Sequence, residues 1–330
     1  MNTRRFDVTA IGNAIVDVIA QADDSLLTEH NLPKGAMNLI DAATAERLYA
    51  IMGPGREASG GSAGNTIAGI AALGGKTAYI GKVAADQLGE VFTHDIRAVG
   101  VTYDTSPLAG GLPTARSLIF VTPDAQRTMQ TFLGATTQLG PEDLNMDYIT
   151  SSKVVYLEGY LWDQPRAKTA MRDAAITAHD AGVKVSLTLS DAFCVSRFRD
   201  EFLELAEKHV DILFANESEI LSLYQTDTFD VALQHVRKHC EIAALTRSEK
   251  GSVVINGDEV HIIDAVKGVK VVDTTGAGDA YAAGFLYAYT QGRDLATCGT
   301  LGGAMAAKVI SHFGPRSEVA DIKKIAATVL

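Results

Sequence analysis

The chain has 330 residues, of which 47% are hydrophobic and 21% charged, a composition that is typical of a folded globular protein and excludes a disordered chain. Its formal net charge of −11 argues against a protein that binds the backbone of nucleic acids, because that affinity comes from clustered lysine and arginine. No run of basic residues is long enough to form a local basic patch, so we expect no nucleic-acid partner.

The cysteines and the start of the chain indicate a reducing compartment. Cys194, Cys240 and Cys298 are far apart and form no Cys-x-x-Cys pair, which disfavours a disulfide framework or a zinc site. Asp7 and Asp17 interrupt the apolar residues near the start, so a signal peptide is not indicated. No apolar run reaches the roughly 18 to 20 residues that span a bilayer. We therefore expect a cytoplasmic protein without a membrane partner.

Short β-rich runs alternate with alanine-rich helical stretches along most of the chain. The predicted strands are Asp7–Ile11, Thr77–Gly81, Ser117–Val121, Val154–Leu157, Lys184–Leu189, Ile212–Ala215, Ala243–Thr246 and Ser252–Ile255. The predicted helices between them include Asn65–Leu73, Leu88–Val99, Arg166–Ala181 and Phe229–His239. This pattern predicts an α/β fold, in which helices cover both faces of a mostly parallel sheet. Because no linker or internal repeat divides the chain, we expect a single domain over residues 1–330.

Two stretches break the alternation of strands and helices. Ile15–Ile40 and Gly110–Phe132 contain β-patterned pieces without a full-length helix between them. Such strands can pair with one another outside the main sheet. The two stretches therefore predict a small flap beside the main sheet.

The strongest local signal is the sequence VVDTTGAGDAYAAGF at Val271–Phe285. Gly276-Ala277-Gly278 follows Asp273 and two threonines, and an alanine-rich segment with helical spacing comes next, at Ala280–Tyr289. Small residues at a helix start let backbone N–H groups converge on an anion, and the helix N-terminus adds roughly half a positive charge. This design suits a phosphoryl group, and Asp279 in the first turn is placed to take a proton from an attacking hydroxyl.

A glycine-rich turn that ends in aspartate is explained equally well as a helix cap.

Two rival phosphate-binding motifs fail on spacing. The dinucleotide-binding fingerprint requires a glycine three residues after Gly278, where the chain has Tyr281, so a dinucleotide oxidoreductase is disfavoured. The GGKT sequence at Gly74–Thr77 has Ile70 in place of the first P-loop glycine, and it runs into a strand instead of a helix.

Three motifs in a fixed order carry a resemblance to a known family. They are GGSAGNTIAGIAALGG at Gly60–Gly75, continued by Gly81 and ADQLGE at Ala85–Glu90, then Asn216-Glu217-Ser218-Glu219, and last DTTGAGDAYAAGF. With these motifs the chain resembles the ribokinase-like (PfkB) carbohydrate kinases over nearly its whole length. The segments GNAIVD, LTLSDAFCVSRF, VDILFANESEI and PDAQRT are more similar to the adenosine kinases of that family than to ribokinases. The resemblance implies a ribokinase-like fold with a small β-sheet lid, built here from about residues 14–45 and 110–135.

For phosphoryl transfer, the resemblance implies that ATP and Mg²⁺ bind along the C-terminal half of the chain. Asp279 is then the catalytic base, and the amides of Gly276, Ala277 and Gly278 bind the transferred group. Arg127 corresponds to a lid arginine that reaches the same phosphoryl group, and a planar guanidinium suits that contact. In the absence of the resemblance, Arg127 is explained as an exposed loop arginine.

The resemblance also assigns residues to the metal and to the nucleotide. Asn216 and Glu219 are expected to hold Mg²⁺ through water, because Mg²⁺ gives up its water reluctantly. Thr246 and Gly251 match a stretch near the nucleotide, although Ser248 replaces the glycine expected two residues after that threonine. Many members of the family bind K⁺ near the anion turn. The candidate K⁺ ligands are Asp273, Thr275, Gly314 and Ser317.

For the acceptor, the resemblance implies that Asp17 binds sugar hydroxyls, with Asn13, Gly61 and Asn65 beside it. A carboxylate that accepts from two ribose hydroxyls favours a vicinal diol over a deoxy analogue. By themselves, Asp17 and Asn65 are explained as a turn residue and a helix cap. The candidate walls of a base pocket are Met37, Leu39, Met129, Leu161 and Phe193. Leu161 stands where adenosine kinases place an aromatic residue against the adenine, with Tyr160 and Trp162 on either side.

The function implied by the resemblance is transfer of the ATP γ-phosphoryl group to an alcohol, with the 5′-hydroxyl of adenosine as the leading acceptor. A sugar kinase for ribose, fructose or a related sugar is the first alternative, together with a kinase for guanosine or inosine. A nucleoside-binding sensor without turnover is a second alternative, which the intact GAGD turn disfavours. We expect ATP and a nucleoside or sugar as partners, and a monomer or homodimer.

Overall fold

The computed structural model of the protein describes residues 4–124 and 126–330 and contains two β-sheets. The strands are β1 (Phe6–Ile11), β2 (Ile15–Gln21), β3 (Met37–Leu39), β4 (Gly55–Gly60), β5 (Thr77–Ile80), β6 (Thr102–Tyr103), β7 (Ala115–Val121), β8 (Arg127–Phe132), β9 (Ser152–Glu158), β10 (Lys184–Thr188), β11 (Ile212–Asn216), β12 (Ile242–Thr246), β13 (Ser252–Asn256) and β14 (Glu259–Ile263). The α-helices are α1 (Asp24–Glu29), α2 (Ala42–Ile51), α3 (Ser62–Ala72), α4 (Gln87–Ala98), α5 (Met146–Thr150), α6 (Pro165–Asp180), α7 (Ala192–Arg197), α8 (Arg199–His209), α9 (Glu217–Tyr224), α10 (Phe229–Val236), α11 (Ala277–Thr290), α12 (Leu295–Val309) and α13 (Val319–Val329).

The larger sheet has nine strands in the order β14-β13-β12-β11-β10-β9-β1-β5-β6. Neighbouring strands are parallel from β12 to β6, and β13 and β14 are added antiparallel at one edge. Every residue of β1 is buried, with Val8 and Ala10 in one hydrophobic core and Phe6 and Ile11 in a second. Helices α3 and α11 cover one face, and α6 covers the other. The predicted α/β fold is therefore confirmed.

The second, small sheet has five strands in the order β3-β8-β7-β2-β4. One face of it packs against helix α2, with Val16, Phe120 and Leu48 buried at the contact. Its β7 contains the predicted strand Ser117–Val121, which thus lies outside the main sheet. Strand β4 joins the small sheet from outside the two predicted stretches, since its sequence GREASG has no β-branched or aromatic residue to signal a strand.

The parallel strands of the main sheet place their carboxyl ends at one edge. Asn13 follows β1, and Glu158, Asn216 and Thr246 end β9, β11 and β12. Ligands of open α/β sheets bind at the carboxyl ends of the strands, so this edge is where a site is expected. Among the described residues, no helix is both long enough and apolar enough to cross a membrane.

Helices α11 and α12 approach closely where a glycine faces a tyrosine. A Cβ atom at Gly302 would lie 2.8 Å from the carbonyl oxygen of Tyr281 and 3.1 Å from its ring. A Cβ atom at the adjacent Gly303 would meet no atom within 4 Å. The contact at Gly302 thus depends on the absence of a side chain.

We expect Gly302→Ala to lower the free energy of unfolding by about 1–3 kcal/mol, because an extra methyl group overpacks the helix contact. Gly303→Ala is the matched control, and there the higher helix propensity of alanine should raise stability by roughly 0.5–1 kcal/mol. Urea unfolding of the two variants and the unchanged protein measures both effects. Equal stabilities for the two variants would contradict this description of the α11–α12 contact.

Candidate active site

A cleft of about 1550 Å³ opens between the small sheet and the carboxyl ends of the parallel strands. Single drug-sized ligands occupy pockets of about 300–1,000 Å³, so this cleft has room for two such molecules side by side. Its walls include most of the sequence-predicted site residues: Asn13, Asp17, Met37, Leu39, Gly61, Asn65, Met129, Phe193, Asn216, Glu219, Thr246, Gly251, Thr275, Gly276, Ala277, Gly278 and Asp279. Five others, Arg127, Leu161, Asp273, Gly314 and Ser317, do not line it.

The glycine-rich turn forms the N-terminus of helix α11 on the floor of the cleft. Gly276 has a φ of 76°, a left-handed conformation that favours glycine, and a Cβ atom there would also meet Pro315 at 2.7 Å. Ala277 N–H donates to Thr274 at 3.2 Å and Ala280 N–H donates to Gly276 at 2.8 Å. Among the described residues, the intervening N–H groups of Gly278 and Asp279 have no protein acceptor. These two groups and the helix dipole make the turn an anion site.

Asp279 lies beside this turn and is held by two side chains of helix α3. Ser62 Oγ donates to its Oδ1 at 2.6 Å, and Asn65 Nδ2 donates to its Oδ2 at 3.1 Å. Burial raises the pKa of Asp279 to about 6, against the opposing effects of these two donors and of Arg316. The carboxylate is therefore fixed in direction, and its pKa suits a group that accepts a proton near neutral pH.

Asp17 lies on the cleft face of the small sheet. It is paired in register with Ser117, which is paired with Thr131, and the two hydroxyls are 3.0 Å apart. Burial raises the pKa of Asp17 to about 6, although Arg316 and Arg127 act to lower it. Within residues 4–124 and 126–330 its carboxylate accepts no hydrogen bond from the protein. Asp17 is thus an acceptor in the cleft that lacks a protein donor.

An apolar patch lies on the same face of the small sheet, beside the row formed by Asp17, Ser117 and Thr131. Met37 of β3 pairs with Met129 of β8, which pairs with Ile119 of β7. Leu39 continues the patch along β3 and is 56% exposed, so a large part of this apolar surface faces open space. The cleft face of the small sheet therefore presents apolar surface beside a carboxylate that has no protein donor among the described residues.

Asn13 lines the cleft, but its amide is engaged with the protein. Its Nδ2 donates to Glu158 at 2.5 Å, and its Oδ1 accepts from Thr136 at 2.9 Å. Glu158, which the sequence reasoning missed, is fully buried and also accepts from Ala63 N–H at 2.8 Å. Burial raises the pKa of Glu158 to about 7, while these N–H donors lower it. The expected contact of Asn13 with a sugar hydroxyl therefore competes with bonds that anchor β1 to β9 and α3.

The expectation that Leu161 forms a wall of the base pocket is wrong. Its side chain is 1% exposed and packs in the hydrophobic core with Trp162. Tyr160 lines the cleft instead, and its hydroxyl donates to the Ser190 carbonyl at 3.2 Å. Phe193 of α7 also lines the cleft, and its side chain is 67% exposed. The Arg197 guanidinium lies 4.7 Å from the centre of the Phe193 ring. The aromatic residue is thus present one position before the expected one.

Arg127 does not line the cleft but pairs with Asp273, which precedes the anion turn. Arg127 Nη2 lies 2.8 Å from Asp273 Oδ2, and each side chain is 6% exposed. The geometry is that of an ion pair without aligned hydrogen bonds, since the guanidinium nitrogens have no acceptor among the described residues. Burial lowers the pKa of Arg127, which Asp273 and Asp17 raise.

The residues predicted for K⁺ do not fit that ion. The Asp273 carboxylate accepts from Thr275 N–H at 3.0 Å and from Gly314 N–H at 3.1 Å, and the Arg127 guanidinium balances its charge. The Ser317 hydroxyl is bonded to His312 Nε2 at 2.9 Å. A further cation at Asp273 would meet the guanidinium of Arg127 at close range, where like charges repel. The arrangement around Asp273 therefore disagrees with the expected K⁺ site.

Asn216 and Glu219 form a capping box at the start of helix α9. Glu219 accepts from the Asn216 N–H at 2.9 Å and from its Nδ2 at 2.6 Å. Burial raises the pKa of Glu219 to about 7. The described residues contain no group of three or more His, Cys, Asp or Glu side chains that could hold a metal. A single carboxylate with free lone pairs fits Mg²⁺ bound through water, which is how that ion is usually held beside phosphates.

The far end of the cleft is lined by polar backbone and by small apolar residues. Thr246 and Gly251 lie there, and Ser248 between them has a φ of 51°. Helices α11 and α12 and the residue after α12 contribute Tyr281, Gly303, Ala306, Ala307 and Ile310 to the cleft wall. The N–H groups of the anion turn that have no acceptor among the described residues line the same cleft as this end and the small sheet.

Arg316, a second residue that the sequence reasoning missed, lies directly behind the cleft. Its Nε donates to Asn65 Oδ1 at 2.9 Å, and its Nη1 donates to Ser59 Oγ at 2.8 Å. The sequence signal was weak, because an arginine in a Gly-Pro-Arg-Ser segment matches no motif. Gly314 and Ser317 on either side were predicted for K⁺, whereas the arginine between them makes the contacts to the site.

Comparison with known proteins agrees with this arrangement. The profile of the pfkB family carbohydrate kinases matches residues 40–322. The crystal structure of adenosine kinase from Sinorhizobium meliloti is 57% identical, with a TM-score of 0.91, and the match covers 99% of this chain and 100% of that one. A probable sugar kinase from Rhizobium etli CFN 42 is 56% identical, with a TM-score of 0.90 and 99% of both chains covered. An uncharacterized sugar kinase from Archaeoglobus fulgidus is 30% identical over 75% of this chain and 96% of its own length.

The names of these relatives agree on kinase chemistry and differ in the acceptor. Both the anion turn and the buried carboxylate beside it lie within the matched residues. The chain therefore belongs to the pfkB family of carbohydrate kinases, and it is a phosphotransferase that acts on an alcohol group of a sugar or nucleoside.

Proposed function

We propose that the protein is an adenosine kinase, which transfers the γ-phosphoryl group of ATP to the 5′-hydroxyl of adenosine to give AMP and ADP. The observation that carries the proposal is the cleft face of the small sheet. There Asp17, which accepts no hydrogen bond from the described protein residues, lies beside the apolar patch of Met37, Ile119 and Met129. A sugar alone requires only the hydroxyl acceptor, whereas a nucleoside also requires the apolar surface.

In this proposal the ribose 2′- and 3′-hydroxyls donate to Asp17, and the base lies on the apolar patch. Tyr160 and Phe193, both on the cleft wall, supply aromatic surface at the same end. The 5′-hydroxyl then points toward the anion turn and Asp279. The likeness to the adenosine kinase from Sinorhizobium meliloti supports the same acceptor.

Asp279 accepts the proton of the 5′-hydroxyl as that oxygen attacks the γ-phosphorus. Its other contacts, to Ser62 and Asn65, leave lone pairs free on the side of the cleft. The N–H groups of Gly278 and Asp279 stabilise the charge of the transferred phosphoryl group. Because such transition states are loose, positioning and charge should contribute more than the basicity of Asp279.

The small sheet acts as a lid in this proposal, with β4 added to the predicted segments 14–45 and 110–135. Arg127 of β8 already lies at Asp273 beside the anion turn, and its guanidinium has donors without aligned acceptors. Those donors suit phosphate oxygens, so Arg127 would serve the transferred group when ATP is bound. Mg²⁺ bound through water at Asn216 and Glu219 would neutralise charge on the ATP phosphates.

A sugar kinase is the second candidate, because a probable sugar kinase from Rhizobium etli CFN 42 is as similar to this chain as the adenosine kinase. The polar row of Asp17, Ser117 and Thr131 would serve a free sugar equally well. The difference lies in the apolar patch, which a free sugar would leave uncovered.

Initial rates with a panel of acceptors and ATP test the proposal directly. We expect adenosine to be phosphorylated with a kcat/KM at least ten times that of ribose or fructose, because a factor of ten needs only about 1.4 kcal/mol from the base contacts that a free sugar lacks. 2′-Deoxyadenosine should lose a further factor of about 10 to 100, since Asp17 then keeps only one charge-assisted hydrogen bond. Adenosine turned over no better than ribose would overturn the nucleoside assignment, and an absence of ADP formation with every acceptor would overturn kinase activity.

Asp279→Asn should lower kcat by about two decades or more, because the amide cannot accept the proton of the attacking hydroxyl. Binding of ATP, measured by calorimetry, should change little, which separates loss of the base from loss of the fold. Thr328→Ala is a suitable control, since that hydroxyl bonds the Lys324 carbonyl within α13 and neither residue lines the cleft. A near-normal kcat for Asp279→Asn would show that Asp279 is not the base.

The kcat/KM for the nucleoside should fall as the pH drops below about 6. Burial raises the pKa of Asp279 to about 6, so below that pH the carboxyl is protonated and cannot accept the hydroxyl proton. Asp17 titrates in the same range, with a pKa of about 6, so the slope should lie between one and two decades per unit of pH. A profile that stays flat down to pH 5 would contradict this assignment of the two carboxyls.

A further inference from the structure

We infer that Arg316 is a positioning residue that orients the Asp279 carboxylate through Asn65 and keeps it in its charged form. The inference rests on the proposed role of Asp279 as the base. Arg316 lies behind the wall of the cleft and does not line it, so it acts through Asn65 and through its charge.

The guanidinium is fixed by three separate elements. Its Nε donates to Asn65 of α3 at 2.9 Å, and its Nη1 donates to Ser59 of β4 at 2.8 Å. Asp95 of α4 lies 3.7 Å from Nη1 and accepts from both the N–H and the hydroxyl of Ser59, at 2.8 and 2.5 Å. A planar guanidinium held at two of its nitrogens has little freedom to turn.

This arrangement decides which way the Asn65 amide faces. A guanidinium only donates, so the Asn65 atom that it contacts must be the oxygen. The amide nitrogen of Asn65 therefore faces Asp279, to which it donates at 3.1 Å. Without Arg316 the amide could rotate and turn its oxygen toward the carboxylate, which would remove a hydrogen bond and add a repulsion.

The charge of Arg316 acts on the same carboxylate. The charged or titratable groups that face Asp279 from the elements around it are Asp17 of β2, Tyr156 and Glu158 of β9, Tyr160 after β9, and Arg316. Arg316 is the cation in this set, and it opposes the burial that raises the pKa of Asp279. Asp95 and Tyr79 also face the guanidinium, whose own pKa burial lowers.

The segment that carries Arg316 is attached to the anion turn. Gly314 N–H donates to Asp273 at 3.1 Å, and Pro315 packs where a Cβ atom of Gly276 would lie. Arg316 then reaches Asn65 in α3. One short segment thus fixes the turn on one side and the partner of Asp279 on the other.

Two variants separate the charge of Arg316 from its hydrogen bond. Arg316→Gln keeps a side-chain N–H for Asn65 and loses the charge, so the acidic limb of kcat/KM should move to higher pH by about one unit. Arg316→Lys keeps the charge and loses the planar guanidinium with its fixed N–H donors. The acidic limb of the kcat/KM profile should therefore stay at nearly the same pH as in the unchanged protein. For the lysine variant we expect kcat on the pH plateau to fall by about tenfold, because Asn65 is no longer held.

Nuclear magnetic resonance of ¹³C-labelled aspartate gives a readout that needs no kinase activity. The Asp279 carboxyl signal is identified as the one missing in Asp279→Asn, and its titration midpoint should be higher in Arg316→Gln than in Arg316→Lys. Circular dichroism verifies that both variants fold, and if the glutamine variant does not, the plateau kcat of the lysine variant still tests the orienting role.

In Arg316→Gln, a loss of activity that is equal at every pH, with unchanged titration of the Asp279 carboxyl, would show that the charge of Arg316 does not act on Asp279 and would overturn the inference. An unchanged plateau kcat in Arg316→Lys would overturn the orienting role. If the unchanged protein phosphorylates no acceptor, the proposed function fails, whereas the carboxyl titration still decides whether Arg316 keeps Asp279 charged.

Discussion

The structure of the site depends on one partly buried contact between two distant parts of the chain. Ser62 and Asn65, in the first turn of α3, hold the carboxylate of Asp279, in the first turn of α11. Two helix N-termini are thereby brought to one point at the edge of the sheet. A carboxylate buried in this way is stabilised by donors and helix dipoles instead of by water. The start of α3 and the anion turn at the start of α11 are fixed against each other by this contact.

Much of this arrangement could be predicted from the sequence, because it is carried by local patterns. The apolar strands of the main sheet, the glycine-rich turn and the capping sequence at Asn216–Glu219 each have a spacing that selects a structure. The order of three motifs then indicated the family, which the profile match over residues 40–322 confirms. Fold and reaction class therefore follow from short-range information.

The residues that were missed are defined by long-range contacts. Glu158 directly follows the predicted strand Val154–Leu157, and it becomes part of the site only because Asn13 after β1 and Ala63 of α3 donate hydrogen bonds to it. Arg316 lies 251 residues from its partner Asn65. The predicted wall residue Leu161 is wrong by one position in the sequence. In the short turn Gly159–Asp163 the neighbouring Tyr160 lines the cleft, whereas Leu161 lies in the core. Pattern alone cannot fix a side-chain direction in such a turn.

Charge balance connects the two arginines of the site. Asp17 and Asp279 face one cleft, and two half-buried carboxylates that are largely removed from water would hold their protons without a nearby cation. Arg316 supplies that cation from behind α3, and Arg127 supplies a second from the small sheet while it neutralises Asp273. Arg127 thus stands at the carboxylate where the family resemblance led us to expect K⁺. Because Arg127 belongs to β8, the positive charge beside the anion turn is tied to the position of the small sheet.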